Sequence, residues 1–154
     1  MNHQPMTPQE ALPAIRAALE AGRPCSLTVT GGSMLPFLRH KKDAVILVPP
    51  VPPYRRGDIL FYLRGSGQCV LHRVHRVRKD GTLLLCGDAQ KPLEPVHPSQ
   101  VMAAVSHIRR GQRLTDCRQP LLRCSVALWQ LLRPLRPGLM ACLMGLHRLL
   151  HTKR

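Results

Sequence analysis

The stretch QCVLHRVHRVRKDGTLLLCGD, Gln68 to Asp88, decides the fold. Its first limb, Gln68–Arg78, mixes apolar and β-branched residues with polar ones, and its second, Thr82–Cys86, resumes after Asp80-Gly81. Asp-Gly between two such runs is a strong signal for an antiparallel hairpin. Working outward, Ser26–Thr30, Ala44–Val48, Asp58–Leu63 and Val101–Ile108 read as further strands, broken by Gly, Pro and Asp. Pro49, Pro50, Pro52 and Pro53 stiffen the loop before the third of these runs. Residues 25–112 therefore predict a mainly β domain, an antiparallel sheet that is coiled or barrel-like.

The flanks differ in texture. In residues 1–24, Thr7 can cap a helix, Pro8 suits its first position and Glu10 completes a capping box. Leu12, Ile15 and Leu19 recur at helical spacing and Gly22 offers the stop. Residues 113–154 predict a basic, amphipathic helical segment, and Gln119–Arg154 contains no acidic residue. Pro134 and Pro137 split it into two helices. In the first, Leu121, Leu122, Leu128, Trp129, Leu131 and Leu132 form an apolar side opposite Arg123, Gln130 and Arg133. A spanning helix needs about 20 apolar residues in a row, and Arg133, Pro134, Arg136 and Pro137 interrupt the run. The segment is expected to dock on an anionic membrane surface, with Trp129 at interfacial depth. The alternative is an amphipathic pair folded back on the β domain or on a partner.

The chain has 154 residues, which suits one domain, and a net charge of +15. That charge favours acidic lipid or nucleic acid. Only two Tyr and two Phe are present for base stacking, and one N-terminal helix is no helix-turn-helix, so nucleic acid is not the expected partner. Cys25, Cys69, Cys86, Cys117, Cys124 and Cys142 form no C-x-x-C pair, and MNHQPMTPQEALP has no basic-then-apolar leader. Reduced thiols are expected, in a cytoplasmic protein peripheral on the membrane. The eight histidines show no metal-ligand spacing, and no cofactor or metal is expected.

Three short pieces carry chemistry: Gly31-Gly32-Ser33-Met34-Leu35-Pro36, Val70-Leu71-His72-Arg73-Val74, and Gly87-Asp88 with Glu94 six residues beyond Asp88. Serine becomes a useful nucleophile when a neighbouring base takes its proton, and histidine can take and return it near neutral pH. A carboxylate behind the ring fixes its tautomer. Paired glycines leave backbone N–H groups free to face a developing oxyanion.

The order and spacing of G-S-M-x-P, a Gly-Asp-Ile strand start, L-H-R-V and G-D followed by an acid resemble the signal peptidases of the archaeal and endoplasmic-reticulum type. In that class histidine replaces the lysine base of the usual bacterial enzyme and of the self-cleaving repressors. The resemblance covers about Val29 to Arg110. It implies a coiled β fold and serine-type proteolysis near small side chains, on a peptide or precursor-protein substrate. Ser33 is then the nucleophile, His72 the general base, and Asp88 and Glu94 the candidate orienting acids, with Gly31, Gly32 and Met34 in the oxyanion and substrate loop. The chain departs from the class in having Gly31 where a hydroxyl residue often stands, Glu94 where Asp is usual, no helix of membrane length before Ser33, and the basic C-terminal segment. The competing function is a catalytically decayed module that binds a peptide or nucleic acid.

Hairpin geometry bears on the two acids. A two-residue Asp80-Gly81 turn puts His72 opposite Ala89, whereas a three-residue loop with Gly81 in the left-handed region puts it opposite Asp88. Asp88 is favoured over Glu94 because it lies beside the hairpin, while Glu94 sits in a Pro-flanked loop. His75 points to the other face from His72.

Overall fold

The computed structural model describes residues 8–151, with side chains described as far as residue 146. Helix α1 spans Pro8–Glu20 and buries Ile15 and Leu19, as the spacing predicts. Gly22, at φ 67°, turns the chain out of it. The expected cap, Thr7, lies outside the described residues. Eight strands follow: β1 Cys25–Thr28, β2 Asp43–Val48, β3 Ile59–Leu63, β4 Cys69–Val77, β5 Leu83–Cys86, β6 Glu94–Val96, β7 Val101–Arg110 and β8 Arg113–Asp116. Helix α2, Pro120–Leu131, leads through a 3-10 turn at Arg133–Leu135 into α3, Arg136–His151.

The strands form one antiparallel sheet in the order β1-β2-β7-β3-β4-β5-β6. β2 lies along one edge of β7, while β3 and β8 share the other edge, end to end. The architecture is mixed α/β and the sheet stays open, so the barrel-like expectation is corrected. The outermost strands β1 and β6 have only four and three residues and do not pair with each other. Both faces are covered instead. Ile59 and Phe61 join a core with Ile15 and Leu19 of α1 and with Met34 and Leu38 of the loop after β1. Leu60 and Tyr62, pointing the other way, join Val70, Val74, Leu83 and Leu85. A strand buried on both faces reads as a continuous apolar run, which is what Ile59–Leu63 shows.

The Asp80-Gly81 hairpin starts in the three-residue register. Gly81 has φ 85°, the Arg78 N–H donates to Thr82 O at 2.9 Å, and Val77 pairs with Leu83. A bulge between Val74 and Arg76 then absorbs His75 and shifts the pairing to Val74 with Leu85 and Arg73 with Cys86. Carried one residue further, this register sets His72 beside Gly87 rather than opposite Asp88 or Ala89.

The C-terminal arm is folded onto the sheet domain through a mixed side, burying Val126 and Met140 and turning several polar groups inward. Gln130 donates to Val74 O at 2.9 Å and accepts from Arg56 Nε at 2.6 Å. Arg123 donates to Arg56 O at 3.0 Å, and Arg133 to Lys91 O at 3.0 Å. Trp129 Nε1 donates to Asp88 O at 2.7 Å, so its indole is held by the protein and not at an outer interfacial depth.

Candidate active site

The Ser33 loop is fixed from both ends. Val29 and Asp43 share a backbone hydrogen bond of 2.9 Å below it, and Met34 and Leu38 are buried in the core. Met34 is therefore an anchor of the loop, with its side chain turned away from any substrate. Asp43 closes the base of the loop. Although burial opposes ionisation, hydrogen bonds from Arg39 and Arg110 hold its carboxyl down at about 2. Arg110 also donates to Phe37 O at 2.9 Å.

The middle of the loop rests on the turn after β5. Ala89 N–H donates to Ser33 O at 2.8 Å. A Cβ added at Gly87 would lie 2.6 Å from that same oxygen, so only glycine admits this approach. Gly87→Ala is expected to push the loop off the turn and to lower any Ser33-dependent activity at least tenfold, since displacements near 1 Å cost about a hundredfold. Covalent labelling of Ser33 measures it, and an unchanged labelling rate would refute the positioning role.

Gly31 N–H donates to His40 Nδ1 at 2.8 Å and is thereby committed. The N–H groups of Gly32 and Ser33 make no protein hydrogen bond among the described residues, leaving them as the candidate oxyanion donors. The paired-glycine reading thus narrows to Gly32 with Ser33.

His72 is buried on the face that carries Tyr62. Its Nδ1 lies 3.3 Å from the Tyr62 hydroxyl, which donates to Glu94 Oε2 at 2.8 Å. With that hydroxyl hydrogen committed to Glu94, the Tyr62 oxygen accepts from His72 Nδ1–H, and Nε2 is left as the unprotonated nitrogen. Arg64 grips Glu94 from outside, Nε to Oε1 at 2.7 Å and Nη2 to Oε2 at 2.5 Å. The Arg64 hydrogen bond, opposed by burial and helped by Tyr62, holds the Glu94 carboxyl below its ordinary range. Burial lowers the His72 pKa to about 4, and the Glu94 charge only partly offsets this. Among the described residues no hydrogen bond joins the Ser33 hydroxyl to His72.

Asp88 has a different partner. Both its oxygens are taken by Arg73, Nε to Oδ1 at 2.8 Å and Nη2 to Oδ2 at 2.7 Å. Both side chains are almost fully buried. Arg73 also donates to Gly57 O at 2.9 Å and stacks over Phe37 at 5.2 Å. The favoured orienting acid therefore serves the neighbouring arginine, while Glu94 reaches His72 through Tyr62. Arg73, next to His72 in L-H-R-V, points to the opposite face, as alternation requires, and carries Asp88 with it. His75 lies on the bulge, where burial and the charges of Arg133, Arg56 and Arg136 lower its pKa.

Sequence reasoning missed Tyr62, Arg64 and Arg73. The first had a usable signal. Gly65-Ser66-Gly67 centres the β3–β4 turn, which pairs Leu60 with His72 and brings Tyr62 onto the same face two residues on. It also missed Trp129 and Arg136. Arg136 is 2% exposed and donates to Gln90 O at 2.9 Å and to Gly87 O at 3.3 Å, clamping the turn under Ser33. Nothing in the arm's own pattern shows which of its arginines turns inward.

No protein-family model matches the chain, and no curated protein matches it.

Proposed function

We propose that the protein is a serine-type peptidase of signal-peptidase-like design, acting on a peptide or precursor protein. The observation that carries this reading is the chain His72–Tyr62–Glu94, which orients one buried imidazole beside the turn that supports the Ser33 loop. In the proposed reaction Ser33 Oγ attacks the scissile carbonyl carbon as His72 Nε2 takes its proton. The N–H groups of Gly32 and Ser33 receive the developing oxyanion. Collapse breaks the C–N bond, and the amine leaves with the proton from His72. Water, deprotonated by the same nitrogen, then releases the acyl group. The Ser33 hydroxyl meets Nε2 when substrate fills the site, as catalytic hydrogen bonds tighten on binding. Tyr62 and Glu94 are positioning residues in this scheme.

A serine-reactive phosphonate tests it. Labelling is expected on Ser33 and absent in Ser33→Ala. Its rate should follow the neutral form of His72. Because the folded pKa is about 4, the rate stays level as pH falls from 7 to about 5 and drops through about 4, rather than through the ordinary histidine value near 6.5. Absence of labelling at every pH would leave the peptide-binding reading in its place.

A further inference from the structure

We propose that the outward leucine stripe of the C-terminal arm seats the protein on an anionic bilayer. An amphipathic helix on a domain normally buries its apolar side and shows its polar side to water. Here the side that meets the domain is mixed, with Val126 and Met140 buried and Leu122 packed on the core beside the polar groups, and a second apolar stripe is left outside. Gln130, Arg123, Arg133 and Arg136 face the domain and donate to its groups. Leu121, Leu128, Leu131 and Leu135, between 60 and 81% exposed, face outward. Their spacings of seven, three and four place them in one line along α2 and the following 3-10 turn. On α3, Leu143 and Leu146 are exposed as well, at 44 and 56%. No helix among the described residues is long and apolar enough to cross a membrane, so the surface can only lie against one.

Charge selects the occupant. The protein carries +15, and residues 119–154 contain no acid. A second copy would bring cations against cations, whereas anionic headgroups bring the missing charge. Exposed cations border the stripe where α2 begins. Arg110 and Arg113, with Leu121 and Leu122, line a cleft of about 330 Å³ that extends to Pro36 and Phe37 of the Ser33 loop. Arg118, just before α2, is exposed as well. Seating the stripe on lipid thus brings the rim of the candidate active site to the same surface. The inference does not depend on Ser33 chemistry, because binding is read without cleavage.

The test is flotation of the full chain with vesicles of phosphatidylcholine alone and of phosphatidylcholine with phosphatidylserine, at low ionic strength. Binding is expected to the serine-lipid vesicles, weakening as salt rises. The double variant Leu128→Glu/Leu131→Glu should reduce the bound fraction at least tenfold. Both positions are exposed, so its circular dichroism should match the parent chain, and Leu121→Glu gives an independent second variant. Failure to bind serine-lipid vesicles, equal binding to phosphatidylcholine alone, or full binding by both variants overturns the proposal. A dimer that the double variant splits, without vesicle binding, assigns the stripe to a second copy and overturns it too.

Discussion

Ser33→Ala and His72→Ala are each expected to reduce peptide-bond cleavage by about 10⁴-fold or more, with both variants folded. Removing one member of a nucleophile–base pair costs nearly as much as removing the pair, because neither works without the other. His75→Ala should retain most activity. It sits on the bulge facing the arginines of the C-terminal arm, away from the Tyr62–Glu94 relay. Tyr62→Phe and Glu94→Gln should reduce kcat while leaving KM near its original value, since they orient the ring without touching substrate. A purified-protein assay on a panel of extended peptides makes the comparison. Equal loss at His72 and His75 would defeat the assignment of the base to His72.

Asp88→Ala is expected to destabilise the fold by about 3–5 kcal/mol, the usual cost of leaving a buried ion without its partner. Arg73 is 4% exposed, and its strongest bonds go to the Asp88 carboxylate. Removing the acid strands the guanidinium against Phe37 and Gly57 O. The double variant Arg73→Met/Asp88→Leu should recover much of the loss, because well-packed apolar replacements of buried pairs are often neutral. Denaturant unfolding of the two variants measures both values. A loss below about 1 kcal/mol for Asp88→Ala, the range of an exposed pair, would show that the pair is solvated rather than buried. Activity lost through Asp88 is then a consequence of lost structure, distinguishable from a tautomer effect by its parallel fall with stability.

Much of the sheet was legible because burial on one or two faces leaves a period in the sequence. The six runs around Asp80-Gly81 are strands to within a few residues. β6 and β8 were not legible, since Glu94-Pro95-Val96 and Arg113–Asp116 each offer a single interior apolar residue or none with alternation. The site was legible as a set of pieces and misread in its wiring. Register counted from a turn assumes unbroken pairing, and the bulge at His75 breaks it by one residue. That single residue moves His72 from Asp88 to Gly87 and turns the favoured acid toward Arg73. The C-terminal arm was legible as amphipathic, but amphipathicity does not say which side meets the domain. Backbone carbonyls at Gly87, Asp88 and Gln90 draw Trp129 and Arg136 inward beside Val126, and such acceptors leave no mark in a side-chain pattern.

The clamp on that turn also orders events during synthesis. Every strand has been made once Asp116 is in place, yet Trp129 and Arg136, which hold the carbonyls beneath Ser33, are added later. At elongation rates of about 5–20 residues per second, Arg136 follows Asp116 by roughly one to four seconds, and both must still clear the ribosome. A chain grown only as far as Asp116 thus has every strand of the sheet but not the two side chains that hold the carbonyls beneath Ser33, so the Ser33 loop gains this support after the last strand is made.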